Sequence, residues 1–191
     1  MLAVLRRWFG GDEASSLAEF AVSLPLLVVL VVGIFDFGGA FNQKQELNNA
    51  VREGARFGAA QPTNDLCTGC AAPPSVDAIR VLVDNYLIAA RLNDCGLGGL
   101  AQPTGGPTWT YGPVANNGCP SGGLTLTIRR GAPDCVLTAN YGAATVNIPC
   151  TQVSVSYAYN WHFNSVIQLL VPGAGFTPIP IPTSATAANM D

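Results

Sequence analysis

Residues Leu17 to Phe35 read LAEFAVSLPLLVVLVVGIF, nineteen positions with a single charged side chain, Glu19. A helix needs about 20 mostly apolar residues to cross the hydrocarbon core of a bilayer, so this stretch predicts a membrane-spanning segment over 17–36. Arg6 and Arg7 precede it, and no Lys or Arg follows until Lys44. Cationic flanks stay in the cytoplasm, which places residues 1–14 inside as a short leader and the rest of the chain outside. Pro25 lacks an N–H, so a bend is expected there. Glu19 is costly at mid-membrane, by about 2.5–3.5 kcal/mol or more. It either lies solvated at the headgroup edge or finds a partner within lipid.

The helical pattern does not stop at the membrane. Phe37, Ala40, Phe41, Leu47, Ala50, Val51, Gly54 and Phe57 fall mostly at three- and four-residue steps, a single apolar stripe. Lys44, Gln45, Asn48, Arg52 and Glu53 fall largely elsewhere. With no proline between Pro25 and Pro62, one helix is predicted over 15–60, roughly 45 residues and ~70 Å long. Gly33, Gly38, Gly39, Gly54 and Gly58 each disfavour a helix by about 1 kcal/mol relative to Ala. They make sense where neighbouring helices approach closely or where the helix loosens.

Residues 61–191 predict one exported domain. Gln61 to Pro74 form a loop, and Ser75 caps a second helix from Val76 to about Asn93, whose Val76, Ile79, Leu82, Val83, Tyr86, Leu87 and Ala90 share a face. Gly96 to Gly123 is rich in Gly and Pro, with a short strand at Trp109–Tyr111. Leu124, Leu126 and Ile128 alternate with threonines as a strand. Two short strands are expected around Asn140-Tyr141-Gly142, and a further one over Gln152–Phe163, with Val153, Val155, Tyr157, Tyr159 and Trp161 on one face. A short helix over Asn164–Leu170 and an edge strand over Thr183–Met190 complete the chain. The fold class is α+β: a long N-terminal transmembrane helix extending out of the membrane, a second helix and a small antiparallel sheet.

All six cysteines, Cys67, Cys70, Cys95, Cys119, Cys135 and Cys150, follow the apolar segment. An even number on one side of a membrane span favours disulfides in an oxidising compartment. Zinc is the weaker alternative: Cys67-x-x-Cys70 has the right spacing, but no second such pair exists and His162 is the sole histidine. A redox-active pair is weaker still, for want of a strand-then-helix context. Connectivity stays open, because six cysteines allow 15 pairings.

Several function classes fall away. The chain carries 9 basic and 12 acidic residues, and Arg129-Arg130 is the longest cationic run in the exported part, so no phosphate-neutralising patch for nucleic acid is present. No G-x-S-x-G elbow or phosphate-binding loop occurs, His162 is expected to be half-buried and satisfied, and Asp77 and Asp84 read as a solvated helix face. Neither a catalytic site nor a cofactor is expected. A cut by signal peptidase near Ala40, after Gly38-Gly39, would instead give a secreted binding module, though the apolar stretch exceeds the usual 7–15 residues.

Four quoted stretches, in order, resemble the TadE/TadG-like minor pilins of the bacterial Flp (Tad) pilus. They are Ala18-Glu19-Phe20-Ala21, Leu24-Pro25-Leu26-Leu27, Gly33-Ile34-Phe35-Asp36-Phe37-Gly38 and Ala50-Val51-Arg52-Glu53-Gly54-Ala55-Arg56-Phe57. The resemblance is strong over about 14–60. It implies a structural pilin or pseudopilin with roles in adhesion and surface attachment. Its partners would be other pilins, the inner-membrane assembly platform and a prepilin peptidase. It also implies helix-motif roles for Pro25, Asp36, Arg52, Glu53, Gly54 and Arg56. In pilins the peptidase cuts before a segment whose fifth residue is glutamate followed by an aromatic. Glu19-Phe20 then places the cut between Ala14 and Ser15, with alanine where glycine is usual. The new ammonium at Ser15 would neutralise a carboxylate within lipid, its own or a neighbour's.

Overall fold

The computed structural model describes residues 12–190 apart from 68, 70, 101–102, 104–105, 115–117, 121, 143, 165–166, 169–171 and 174. Two helices, α1 (Asp12–Ala59) and α2 (Pro74–Ala89), precede a 3-10 turn (Leu97–Gly99). Five strands follow: β1 (Thr108–Val114), β2 (Leu124–Arg130), β3 (Val136–Tyr141), β4 (Ala144–Tyr159) and β5 (Ile179–Ala188). All pairings are antiparallel, so the expected α+β class is what the chain adopts.

The chain divides into two compact units. One comprises the described part of Met1–Gly39 together with Trp161–Phe176; the other comprises Ala40–Asn160 with Thr177–Asp191. In the second unit β4 is the spine. Its C-terminal half pairs with β2 on one side and β5 on the other, and β1 adds outside β2. Cross-strand register aligns Trp109 with Ile128 and Val153, and Tyr111 with Leu126 and Val155. These six side chains, with Leu124 and Tyr157, are buried. The opposite face carries Thr110, Thr125, Thr127, Ser154 and Ser156, half-buried or exposed, as the alternation of a one-sided sheet requires.

The helices cover the apolar face. Leu47, Ala50, Val51 and Ala55 of α1 and Val76, Ile79, Val83 and Leu87 of α2 are essentially inaccessible. Each large one contributes about 1.5–3 kcal/mol of burial. Gly54 and Gly58 set the spacing. A Cβ on Gly58 would lie 2.6 Å from Ile79 Cδ1 and 2.7 Å from Thr151 Cγ2; one on Gly54 would lie 3.0 Å from Val83 Cγ2 and 3.5 Å from Val153 Cγ1. The two glycines, one turn apart, let α1 lie close to α2 and β4 together.

Some boundaries differ from expectation. Ser75 does not cap α2: Pro73 is the N-cap, and Pro74 starts the helix, where its missing N–H costs nothing. Asp65 from the preceding loop takes the capping role, accepting from Ser75 N–H and Ser75 Oγ, each at 3.1 Å. The helix ends at Ala89, short of Asn93. Arg91 adopts φ 58°, and the bonds Leu92 N–H to Leu87 O (2.9 Å) and Arg91 N–H to Ile88 O (3.0 Å) close a Schellman motif without glycine.

The second of the two short strands expected near Tyr141 and the strand expected over 152–163 are one element, β4, of 16 residues running through Pro149. Trp161 lies beyond its end. β5 starts earlier than expected and contains Pro180 and Pro182, which an edge strand tolerates because an unpaired side needs no donor. Most of the short helix expected over Asn164–Leu170 lies outside the described residues.

Two disulfides are defined. Cys95–Cys119 joins the turn after α2 to the loop before β2, and Cys135–Cys150 clamps the loop between β2 and β3 onto β4, with Cα separations of 5.2 and 5.0 Å. Cys67 is also disulfide-bonded, while Cys70 lies outside the described residues.

Candidate functional site

The candidate site is α1 itself, and its two parts have different surroundings. From Ser16 onward it is long and apolar enough to cross a membrane, and its most apolar window has no buried residue. Leu17, Phe20, Val22, Leu26, Leu27, Ile34 and Phe35 are all exposed. So large a bare apolar surface implies a non-aqueous or protein environment. Glu19 is exposed on this stretch. Its carbonyl accepts from Ser23 Oγ at 2.9 Å, two residues before Pro25, which sits within the helix. Ala14 and Ser15 belong to the helix backbone; their side chains, and the leader to residue 11, lie outside the described residues.

Asp36 ends the apolar stretch and is 4% exposed. Its carboxylate accepts the Phe163 N–H at 2.9 Å, and His162 Nδ1 lies 3.1 Å away, a contact that needs the proton on Nδ1. Beside it Phe37 stacks edge-on against Trp161 at 5.3 Å. The His162 side chain is 83% exposed, not half-buried as expected, although its Nδ1 meets Asp36.

The motif around Arg52 splits by face. Ala50, Val51, Gly54 and Ala55 are buried against the chain's own domain, whereas Arg52, Glu53 and Arg56 are exposed. Between residues 47 and 58 the apolar stripe is therefore already occupied, and the charged face is the one left open.

Sequence reasoning missed Arg130. It is fully buried and reaches the C-terminal end of α1, donating to Gly58 O at 2.8 Å, Gln61 O at 2.9 Å and Pro62 O at 3.5 Å. It also donates to Thr151 Oγ1 at 3.2 Å and to the Ser75 hydroxyl. Helix ends leave carbonyls without intrahelical donors, and a guanidinium satisfies them while favouring the negative end of the helix dipole. The signal was present: the alternation Leu124, Leu126, Ile128 puts Arg130 on the same inward face.

A second polar cluster lies at α2. Arg80 donates to Asp77 Oδ1 at 2.8 Å and to Leu97 O and Gly98 O at 2.9 Å each, with its guanidinium 5.8 Å from the Tyr111 ring. Burial pushes the Tyr111 hydroxyl up to about 12. Asp84 is buried too, so solvation does not explain it; burial, then the neighbouring Asp94, raises its carboxyl above the ordinary value. Among the described residues no group of three or more His, Cys, Asp or Glu side chains could hold a metal ion.

Comparison with known proteins bears on the same helix. The model of the TadE-like protein family matches residues 14–56. Those residues are a TadE-like segment. The match begins at Ala14, covers Glu19, Pro25 and Asp36, and ends at Arg56, within the stretch whose residues resemble that family. It connects the chain with the Flp/Tad pilus system in general terms. No curated protein and no solved structure matches.

Proposed function

We propose that this chain is a minor pilin or pseudopilin that takes part in assembling a Flp/Tad-type pilus, with adhesion and surface attachment as the process served. The observation that carries the reading is the division of α1 within the TadE-like segment. Its first part is apolar and bare, and its second part is built into a disulfide-bonded domain with a charged face outward. A structural subunit needs this: one surface that lipid or neighbouring helices cover, and one domain fixed to it.

On this reading the chain is a single-pass component of the bacterial cytoplasmic membrane, N-terminus in the cytoplasm and residues 61–191 outside. Other pilins and the assembly platform are its partners. Prepilin peptidase cuts between Ala14 and Ser15, leaving the new ammonium to offset Glu19 in lipid. The role is structural, with no turnover assigned.

Affinity capture of the full-length chain from native membranes, with N-terminal sequencing of the captured protein, tests this. The expected result is co-capture of Flp/Tad components and a chain starting at Ser15. Capture without any such component overturns the assembly role. A start at Phe41 indicates secretion, because a cut there severs α1 and discards the anchor.

A further inference from the structure

Trp161–Phe176 is the one segment after residue 39 that groups with the apolar half of α1. Its place along that helix is fixed by two contacts. Phe163 N–H and His162 Nδ1 both meet the Asp36 carboxylate, at 2.9 and 3.1 Å. Asp36 is the first residue after Leu17–Phe35. At ~1.5 Å per residue that stretch is roughly 28 Å long, close to the ~30 Å hydrocarbon core. A segment tied to Asp36 therefore sits where the helix leaves hydrocarbon for the headgroups.

The composition suits that depth. Residues 161–176 contain no Lys, Arg, Asp or Glu. Trp161, Phe163 and Phe176 form a ring cluster with centroid separations of 5.9, 6.5 and 5.2 Å, and Phe37 joins it through Trp161. Asn164 holds the cluster closed, donating from Nδ2 to Phe176 O and accepting from Phe176 N–H, both at 2.8 Å. Phe37 and Phe176 are nevertheless more than half exposed. Aromatic rings with a polar edge favour the membrane–water interface, and the exposed imidazole adds such an edge. The backbone clasp means the rings are held together before they meet lipid, which lowers the ordering cost of docking.

We infer that the cluster of Trp161, Phe163 and Phe176 is a second membrane contact, an aromatic foot that beds into the lipid headgroup layer beside the exit of α1. It fixes the depth at which the chain stands in the bilayer. This rests on α1 spanning the membrane.

The test is depth-resolved quenching of the full-length chain in phosphatidylcholine/phosphatidylglycerol vesicles. The lipids carry a nitroxide either near the headgroup or near the chain terminus. Trp161 emission is read as the difference between a Trp8→Phe chain and a Trp8→Phe/Trp161→Phe chain, leaving Trp109 in place. Leu26→Trp in the latter background reports the middle of the span. The expected result is loss of Trp161 emission chiefly to the shallow label and of Leu26→Trp emission chiefly to the deep one. If Leu26→Trp is quenched and Trp161 is not, the foot is covered by water or protein and the inference falls while the anchor stands. If neither is quenched, the anchor reading falls and takes the inference with it.

Discussion

Replacing Arg130 by methionine keeps the length of the side chain and removes its five donors. The guanidinium meets the Gly58 carbonyl in the last turn of α1, the Gln61 and Pro62 carbonyls just beyond it, and two hydroxyls. A hydrogen bond from a charged donor is worth about 1.5–3 kcal/mol, and a buried acceptor left unpaired costs about 1–3 kcal/mol. These terms overlap, and methionine recovers some packing and is spared the cost of burying a charge, so the net loss is well below the sum of the bonds, about 3–5 kcal/mol. For a unit of this size that is roughly 10–20 °C in Tm. The assay is thermal unfolding of the detergent-solubilised full chain by circular dichroism. Arg129→Met is the control, since Arg129 is the exposed neighbour and should stay within about 0.5 kcal/mol. Arg130→Lys keeps the charge without the fork and should fall between the two. If Arg130→Met and Arg129→Met melt together, the guanidinium does not hold the end of α1 and the reasoning fails.

Further outcomes concern packing, linkage and cross-links. Gly58→Ala gains about 1 kcal/mol of helix propensity but meets Ile79 and Thr151 on both sides, so a net loss of about 1–2 kcal/mol is expected by urea unfolding; Gly38→Ala, with nothing within 4 Å among the described residues, should lose none. Asp84 has a raised native pKa, so its contribution is fully present below the ordinary value of 3.8 and is lost as pH rises through the native value. Asp84→Asn should therefore raise Tm more at pH 7 than at pH 4, and an equal shift at both would contradict the linkage. Cys135→Ser/Cys150→Ser opens a closure of sequence separation 15, with an expected loss of about 3 kcal/mol in the same urea assay.

Much of this fold was legible because its signals are periodic. The apolar run, the stripe continuing to Phe57 and the threonine alternation at Leu124–Ile128 each specify an element through one repeating rule. What escaped depended on distant partners. Asp65 displaced Ser75 as the cap because a loop ten residues away folds back onto it. Arg91 ended α2 early in a left-handed conformation that sequence assigns to glycine. Asp36 was singled out by resemblance, yet its contact with His162 and Phe163 spans more than 120 positions, and no local pattern encodes that. Gly54 and Gly58 were read as points of close approach; the elements that approach are the chain's own α2 and β4.

On the proposed reading, the open charged face of α1 around Arg52, Glu53 and Arg56 is turned to other components of the pilus system, because the apolar stripe over 47–58 is buried against the chain's own domain. A photo-activatable residue at Arg56, in cells assembling the pilus, tests it most directly. The account predicts light-dependent adducts with another Flp/Tad protein that are absent when the same residue stands at exposed Asn140 on β3. No adduct at Arg56, or the same adducts from both positions, would contradict it.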